Sequence, residues 1–134
     1  MRKKLNCILL VDDDPDDNFF HETIIREMGI VDKIEIAENG LAALAYLKKG
    51  QTPPQLIFLD INMPRMNGWE FLEQYKDLDQ VQRSKVVIMI LSTSSNPDDI
   101  KRAGEVKEVS GFETKPLTEE SLNDILNKYF KDHL

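Results

Sequence analysis

The sequence predicts an α/β domain in which five parallel strands alternate with five helices and both faces of the sheet are covered. Three observations predict it. Short apolar runs without alternation recur along the chain, and such runs read as strands buried on both faces. Segments of helical spacing separate them, most of them opened by a capping residue. Several of the runs end in polar, chemically useful residues, as strands do at the carboxyl edge of an open α/β sheet, where ligands bind. With right-handed crossovers this is a doubly wound (βα)5 chain, whose strand order the pattern alone leaves open.

The elements follow in order. Residues 5–11 form the first strand, and Asp12-Asp13-Asp14-Pro15-Asp16-Asp17 follows it. Asp14 suits the N-cap of a helix, Pro15 its first position, and Asp16 and Asp17 its positive end. That helix carries Phe20, Ile24 and Met28 at helical spacing and ends at Gly29. Asp12 and Asp13 have no such role and belong to the strand end. Ile34-Glu35-Ile36 alternates like a second strand. Asn39-Gly40 turns into a helix with Leu41, Leu44 and Leu47 that closes near Gly50, and a loop with Pro53-Pro54 follows. Leu56-Ile57-Phe58-Leu59 is the third strand; it runs straight into Asp60, with Pro64 four positions later. Asn67 caps the third helix with Glu70 at the capping-box position, and Trp69, Leu72 and Tyr75 give it an apolar stripe.

Residues 86–91 are the strongest strand, β-branched and uncharged, ending at Ser92. Asn96-Pro97-Asp98-Asp99 opens a fourth helix weakened by Gly104 and by sparse apolar positions. Gly111-Phe112-Glu113-Thr114 is a short fifth strand before Lys115-Pro116. Thr118 caps a last helix bearing Leu122, Ile125, Leu126, Tyr129 and Phe130.

Composition narrows the function. A chain of 134 residues, 41% hydrophobic and 31% charged, fits one globular domain over residues 1–134, and no repeat or low-complexity segment divides it. Its net charge of -7 argues against binding a nucleic-acid backbone directly. The single Cys7, inside the first strand, excludes a disulfide framework and fits a buried small hydrophobe in a reducing, cytoplasmic setting. Met1-Arg2-Lys3-Lys4 and the apolar run after it resemble a signal peptide, but the run is short, broken by Asn6 and followed by aspartates. No segment is long enough to span a membrane.

The strand ends together offer Asp12, Asp13, Asp60, Ser92 and Lys115. Three carboxylates at one edge repel one another, so cations must be present. Lys115 supplies one charge, and oxygen ligands without His or Cys select Mg²⁺, Mn²⁺ or Ca²⁺ for the rest. Carboxylates, a hydroxyl and a lysine suit phosphoryl chemistry, in which one carboxylate attacks phosphorus in line while the others neutralise its oxygens.

These residues resemble the receiver domains of two-component response regulators over nearly the whole chain. The matching pieces are Val11-Asp12-Asp13-Asp14-Pro15, Asp60-Ile61-Asn62-Met63-Pro64 with Asn67-Gly68, Leu91-Ser92-Thr93, and Gly111-Phe112 before Lys115-Pro116. The resemblance implies a flavodoxin-like fold with strand order 2-1-3-4-5. It implies that Asp60 accepts a phosphoryl group from a histidine kinase or a histidine phosphotransfer protein. Asp13 would hold Mg²⁺ directly, Asp12 largely through water, Asp60 by its carboxylate and Asn62 by its main-chain carbonyl. Ser92 would hydrogen-bond the phosphoryl group, Lys115 would pair with it, and the Lys115–Pro116 peptide would be cis. Ser92 and Phe112 would act as the switch, with helix 4, strand 5 and helix 5 as the responding surface. Asn62 and Ser94 would tune hydrolysis of the phosphoryl group. Such a domain catalyses only its own phosphorylation and dephosphorylation, and it would be a monomer or weak homodimer.

Three features depart from the commonest pattern. Phe112 stands where Tyr is frequent, Thr93 where a smaller residue is frequent, and the sequence stops at Leu134 without an effector domain. The expected output is therefore a contact with a downstream protein or a forwarded phosphoryl group. The likeness is greatest to stand-alone, chemotaxis-regulator-like receivers with Leu-Ser/Thr-Thr-Ser after strand 4, some of which pair with phytochrome-type kinases.

Rival readings remain. A haloacid-dehalogenase-like phosphatase would use Asp12 as nucleophile and Asp14 as acid, but it needs an acidic pair after the lysine and leaves Asp60 idle. A calcium loop over Asp12, Asp14 and Asp16 lacks its glycine, because Asp17 stands there, and has Thr23 in place of the final glutamate. A flavin mononucleotide binder would want a Ser/Thr/Gly-rich loop after strand 1. A docking module never phosphorylated on Asp60 is the bare binding alternative. His21 and His133 lie away from the strand ends and are expected to be neither catalytic nor metal-binding, and His21 is expected to be a solvated surface residue.

Overall fold

A computed structural model describes residues 4–49, 52–78, 86–93 and 96–131. The strands are β1 (Leu5–Val11), β2 (Val31–Ala37), β3 (Leu56–Leu59), β4 (Val87–Ser92) and β5 (Gly111–Thr114). The helices are α1 (Pro15–Met28), α2 (Gly40–Lys49), α3 (Gly68–Tyr75), α4 (Pro97–Glu105) and α5 (Glu119–Tyr129). The strands form one parallel sheet in the order β2-β1-β3-β4-β5, the doubly wound arrangement expected. Gly50, Ser94 and His133, to which the sequence assigned a helix end, a tuning role and a place outside the site, lie outside the described residues.

The central strands are buried because alternate residues feed two cores. On one face Ile8, Leu10, Phe58, Met89 and Leu91 pack with Ile25 of α1 and Leu122, Ile125 and Leu126 of α5. On the other, Leu9, Val11, Ile57, Leu59 and Ile88 pack with Leu44 and Leu47 of α2 and Phe71 and Leu72 of α3. No helix among the described residues is long and apolar enough to cross a membrane.

Helix starts follow the expected local chemistry. The Asp14 carboxylate accepts the N–H groups of Asp16 and Asp17, and Gly29 ends α1 in the left-handed region at φ 62°. Asn67 and Glu70 form a reciprocal capping box on α3. Thr118 does the same for α5 with Ser121, which supplies the second hydroxyl.

α1 is turned away from the face that its apolar spacing predicts. Its buried residues are Asn18, His21 and Ile25, whereas Phe20 is half exposed and Ile24 and Met28 are only partly covered. His21, expected to be solvated, is 3% exposed. The cap at Asp14 and a 2.9 Å bond from Asn18 Nδ2 to the main-chain oxygen of Asp12 set the first turn's rotation. Polar side chains therefore face inward beneath the sheet edge. α4 buries only Ala103, as its weak pattern led one to expect.

The register places the site. Val11 pairs with Leu59, Leu59 with Ile90, and Ser92 with Thr114, so the residues after them emerge side by side. Gly68 lets α3 close on this edge: a Cβ there would meet the main-chain oxygen of Asp60 and Cα of Ile61, each at 2.7 Å. Gly68→Ala is expected to cost about 2 kcal/mol by overpacking against rigid backbone. Urea denaturation reads this directly, and an unchanged midpoint would show that the loop yields freely.

Candidate functional site

Asp12 follows β1 and Asp60 follows β3, the two being neighbours across the hydrogen bond from Asp60 N–H to the Val11 oxygen. Both are buried, at 5% and 8% exposure, while Asp13 is exposed. Lys115 reaches in from the end of β5, where its own N–H donates to the Ser92 oxygen. Its ammonium lies 2.6 Å from Asp12 Oδ2, 2.8 Å from Asp17 Oδ2 and 3.6 Å from Asp60 Oδ2. The second oxygen of Asp12 accepts the N–H of Asp14, and Oδ1 of Asp60 accepts that of Asn62. Ser92 is fully buried at the end of β4, the strand between those of Asp60 and Lys115. The Lys115–Pro116 peptide is cis.

Asp12, Asp13 and Asp60 can each turn one carboxylate oxygen to within 4.8 Å of the others. Unit charges at that spacing repel by on the order of 3 kcal/mol per pair at the effective dielectric of a protein surface. Lys115 offsets only part of this. Three hard oxygen donors with no nitrogen or sulfur fit a divalent cation of the Mg²⁺, Mn²⁺ or Ca²⁺ kind.

The charges are tuned by burial. Desolvation pushes the Asp60 carboxyl up to about 6, against the pull of Lys115 and the Asn62 N–H, and Asp12 adds to the rise. Burial disfavours the charge on Lys115, but its bonds to Asp12 and Asp17 outweigh that and hold it firmly protonated. Burial lowers the pKa of His21, and Lys115 lowers it further.

The residues singled out from the sequence thus divide. Asp12, Asp13, Asp60 and Lys115 form one cluster, Ser92 adjoins it, and Asn62 touches it through its N–H. Phe112 is half-buried on β5 against the small cluster of Ile61, Ile90 and Ala103. The sequence reading missed Asp17, Asn18 and His21. Asp17 has a role beyond the helix end, as a second close partner of Lys115. Asn18, His21 and Ile25 do share a helical face, a spacing the apolar residues on the neighbouring face obscured.

A doubly wound α/β domain with a lysine-compensated acidic pocket at its carboxyl edge is the class of protein these features define. The chain belongs to the response regulator receiver domain family, whose pattern it matches over residues 8–127. It is 33% identical over 119 residues to the probable methanogenesis regulatory protein FilR2 of Methanothrix harundinacea, covering 86% of this chain and 75% of that protein. Its structure resembles a two-component response regulator from Cytophaga hutchinsonii with a TM-score of 0.87 at 36% identity, covering 96% of this chain and 99% of that one. The Mn²⁺-bound form of response regulator Rcp1 superposes with a TM-score of 0.70 at 29% identity, over 92% of this chain and 90% of that one. This is a signalling domain of the two-component class with a flavodoxin-like fold.

The raised pKa of Asp60 sets a sign for stability. Its folded pKa exceeds the ordinary value of 3.8, so its contribution is fully present below pH 3.8 and is lost as pH rises through about 6. In EDTA, Asp60→Asn should therefore be more stable than the parent at pH 7.5, by on the order of 1 kcal/mol, with the gap shrinking towards pH 4. Urea titrations at the two pH values check this; an equal or opposite difference would show that the attraction of Lys115 outweighs burial.

Proposed function

We propose that this receiver domain accepts a phosphoryl group on Asp60 from the phosphohistidine of a histidine kinase or histidine phosphotransfer protein. The placement of Asp60 carries the reading: a buried carboxylate at a strand end, with one oxygen held by Asn62 N–H and a lysine at 3.6 Å. An Asp60 oxygen attacks phosphorus in line, the N–P bond of the donor breaks, and the freed imidazole takes up a proton. Lys115 follows the charge that moves onto the phosphoryl oxygens, and the Ser92 hydroxyl donates to one of them. The domain catalyses only its own phosphorylation and dephosphorylation.

Mg²⁺ is the cation this reading requires. Asp12, Asp13, Asp60 and the main-chain carbonyl of Asn62 would hold it, Asp12 largely through water. When bound, such a cation supplies positive charge to the oxygens of the transferring group.

Signalling then runs through Ser92 and Phe112 to the face of α4, β5 and α5, where a downstream protein docks. The shallow burial of α4 supports this, since an element held by few buried side chains shifts at small cost. We place the protein in the cytoplasm, as a monomer or weak homodimer contacting neither membrane nor nucleic acid. The phosphatase alternative loses support in this geometry, because both Asp12 oxygens are already engaged, by Lys115 and the Asp14 N–H.

Intact mass after incubation with acetyl phosphate tests the assignment. The parent should gain one phosphoryl group with Mg²⁺ and none in EDTA. Asp60→Asn should gain none, and Asp12→Asn should gain it roughly tenfold more slowly. A gain that survives Asp60→Asn and vanishes in Asp12→Asn would transfer the nucleophile to Asp12. No gain in any sample would favour a docking module.

A further inference from the structure

Directly beside the acidic cluster is a cavity of about 10 Å³, the space of one water molecule. Leu10, Phe58 and Leu91 give it apolar lining. Its polar lining comes from Asp12 and Asp60 at the sheet edge and from Asn18 and His21 of α1. Asn18 and His21 are 5% and 3% exposed. An apolar pair would pack there at no cost in desolvated polar groups, so this pair calls for a partner.

The hydrogen-bonding inventory is incomplete in one direction. The Asp12 carbonyl can only accept, so the amide nitrogen of Asn18 faces it, at 2.9 Å. That leaves Asn18 Oδ1 as a buried acceptor without a donor. His21 makes an edge contact with Phe20 and no hydrogen bond among the described residues. A neutral imidazole carries one N–H and one free lone pair. A single water satisfies both residues: it gives one proton to Asn18 Oδ1, accepts from the N–H of His21, and gives its second proton to a carboxylate of the cluster.

The geometry points to a built water site between Asn18, His21 and the Asp12–Asp60 pair, with His21 as a positioning residue that steadies those carboxylates from the α1 side. This deepens the proposed function and rests on it for its consequence, though not for the water itself. Asn18 fixes the backbone of Asp12, and the water with His21 fixes the side chains. The donors on the opposite side, Lys115 and the main-chain N–H groups of Asp14 and Asn62, then meet carboxylates that are already oriented. Residues that orient the groups holding a metal typically matter 10–100-fold for affinity or rate.

The test has two arms. A high-resolution crystal structure of the unaltered protein should show one water within hydrogen-bond distance of Asn18 Oδ1 and His21; an empty cavity, or a protein donor on Oδ1, would overturn the proposal. In the second arm, Mg²⁺ affinity by calorimetry and phosphorylation by acetyl phosphate are measured for His21→Leu and His21→Gln alongside thermal melting. His21→Leu should melt no lower than the parent yet lose about tenfold in one or both readouts, and His21→Gln, which keeps a donor and an acceptor, should recover most of it. Parental behaviour in His21→Leu, or equal losses in both variants, would reduce His21 to a packing residue. If His21→Leu fails to fold, the crystallographic water still decides. If the parent itself takes no phosphoryl group, the assignment of Asp60 fails, while the water and the Mg²⁺ affinities still judge this proposal.

Discussion

The ammonium of Lys115 is the interaction on which the carboxyl edge depends. It brings one positive charge to within 3.6 Å of Asp12, Asp17 and Asp60. Without it, the buried carboxylates of Asp12 and Asp60 would lose the cation that lies 2.6 Å and 3.6 Å from them, and their mutual repulsion would be uncompensated by it. The cost of bringing the lysine there is met by geometry. β3 and β4 lie between β1 and β5 in the sheet, and the long side chain closes a contact 103 residues apart in sequence.

The same compensation leaves the site strained in a useful sense. Lys115 sits closer to Asp12 and Asp17 than to Asp60, so the carboxylate proposed to accept the phosphoryl group is the one farthest from the lysine. Burial raises its pKa to about 6, which marks a group with unmet demand for positive charge. A divalent cation answers that demand. Asp17 enters here as a second partner for the lysine, on the first turn of α1, which Asp14 caps.

α4 is the least deeply packed of the helices. Where every residue of β3 is buried, α4 contributes a single buried side chain, Ala103. What else ties it down includes the Arg102 guanidinium, 4.4 Å above the ring of Trp69 on α3. A contact of this kind is worth about 1 kcal/mol at a partly exposed site, so it restrains the helix without locking it. The fold suits the proposed output: a buried sheet edge holds the acidic cluster and a lightly held helix borders Phe112.

The order of elements, most of their boundaries and the acidic set at the strand ends were legible in the sequence, because they are local matters. Apolar runs, Asp14, Asn67 and Thr118 caps and Gly29 act within a few residues of themselves. β2 proved longer than its short alternating core, since pairing with β1 extends an edge strand whose own residues are only half covered. The rotation of α1 was decided by tertiary structure alone. Its apolar residues Phe20, Ile24 and Met28 specify one face, but Asn18 binding Asp12 and the cap at Asp14 impose another. The partnership of Asp17 with Lys115 and the burial of His21 follow from that rotation. Periodicity reports which side chains avoid water; it is silent about polar side chains drawn inward by a site made of distant strand ends.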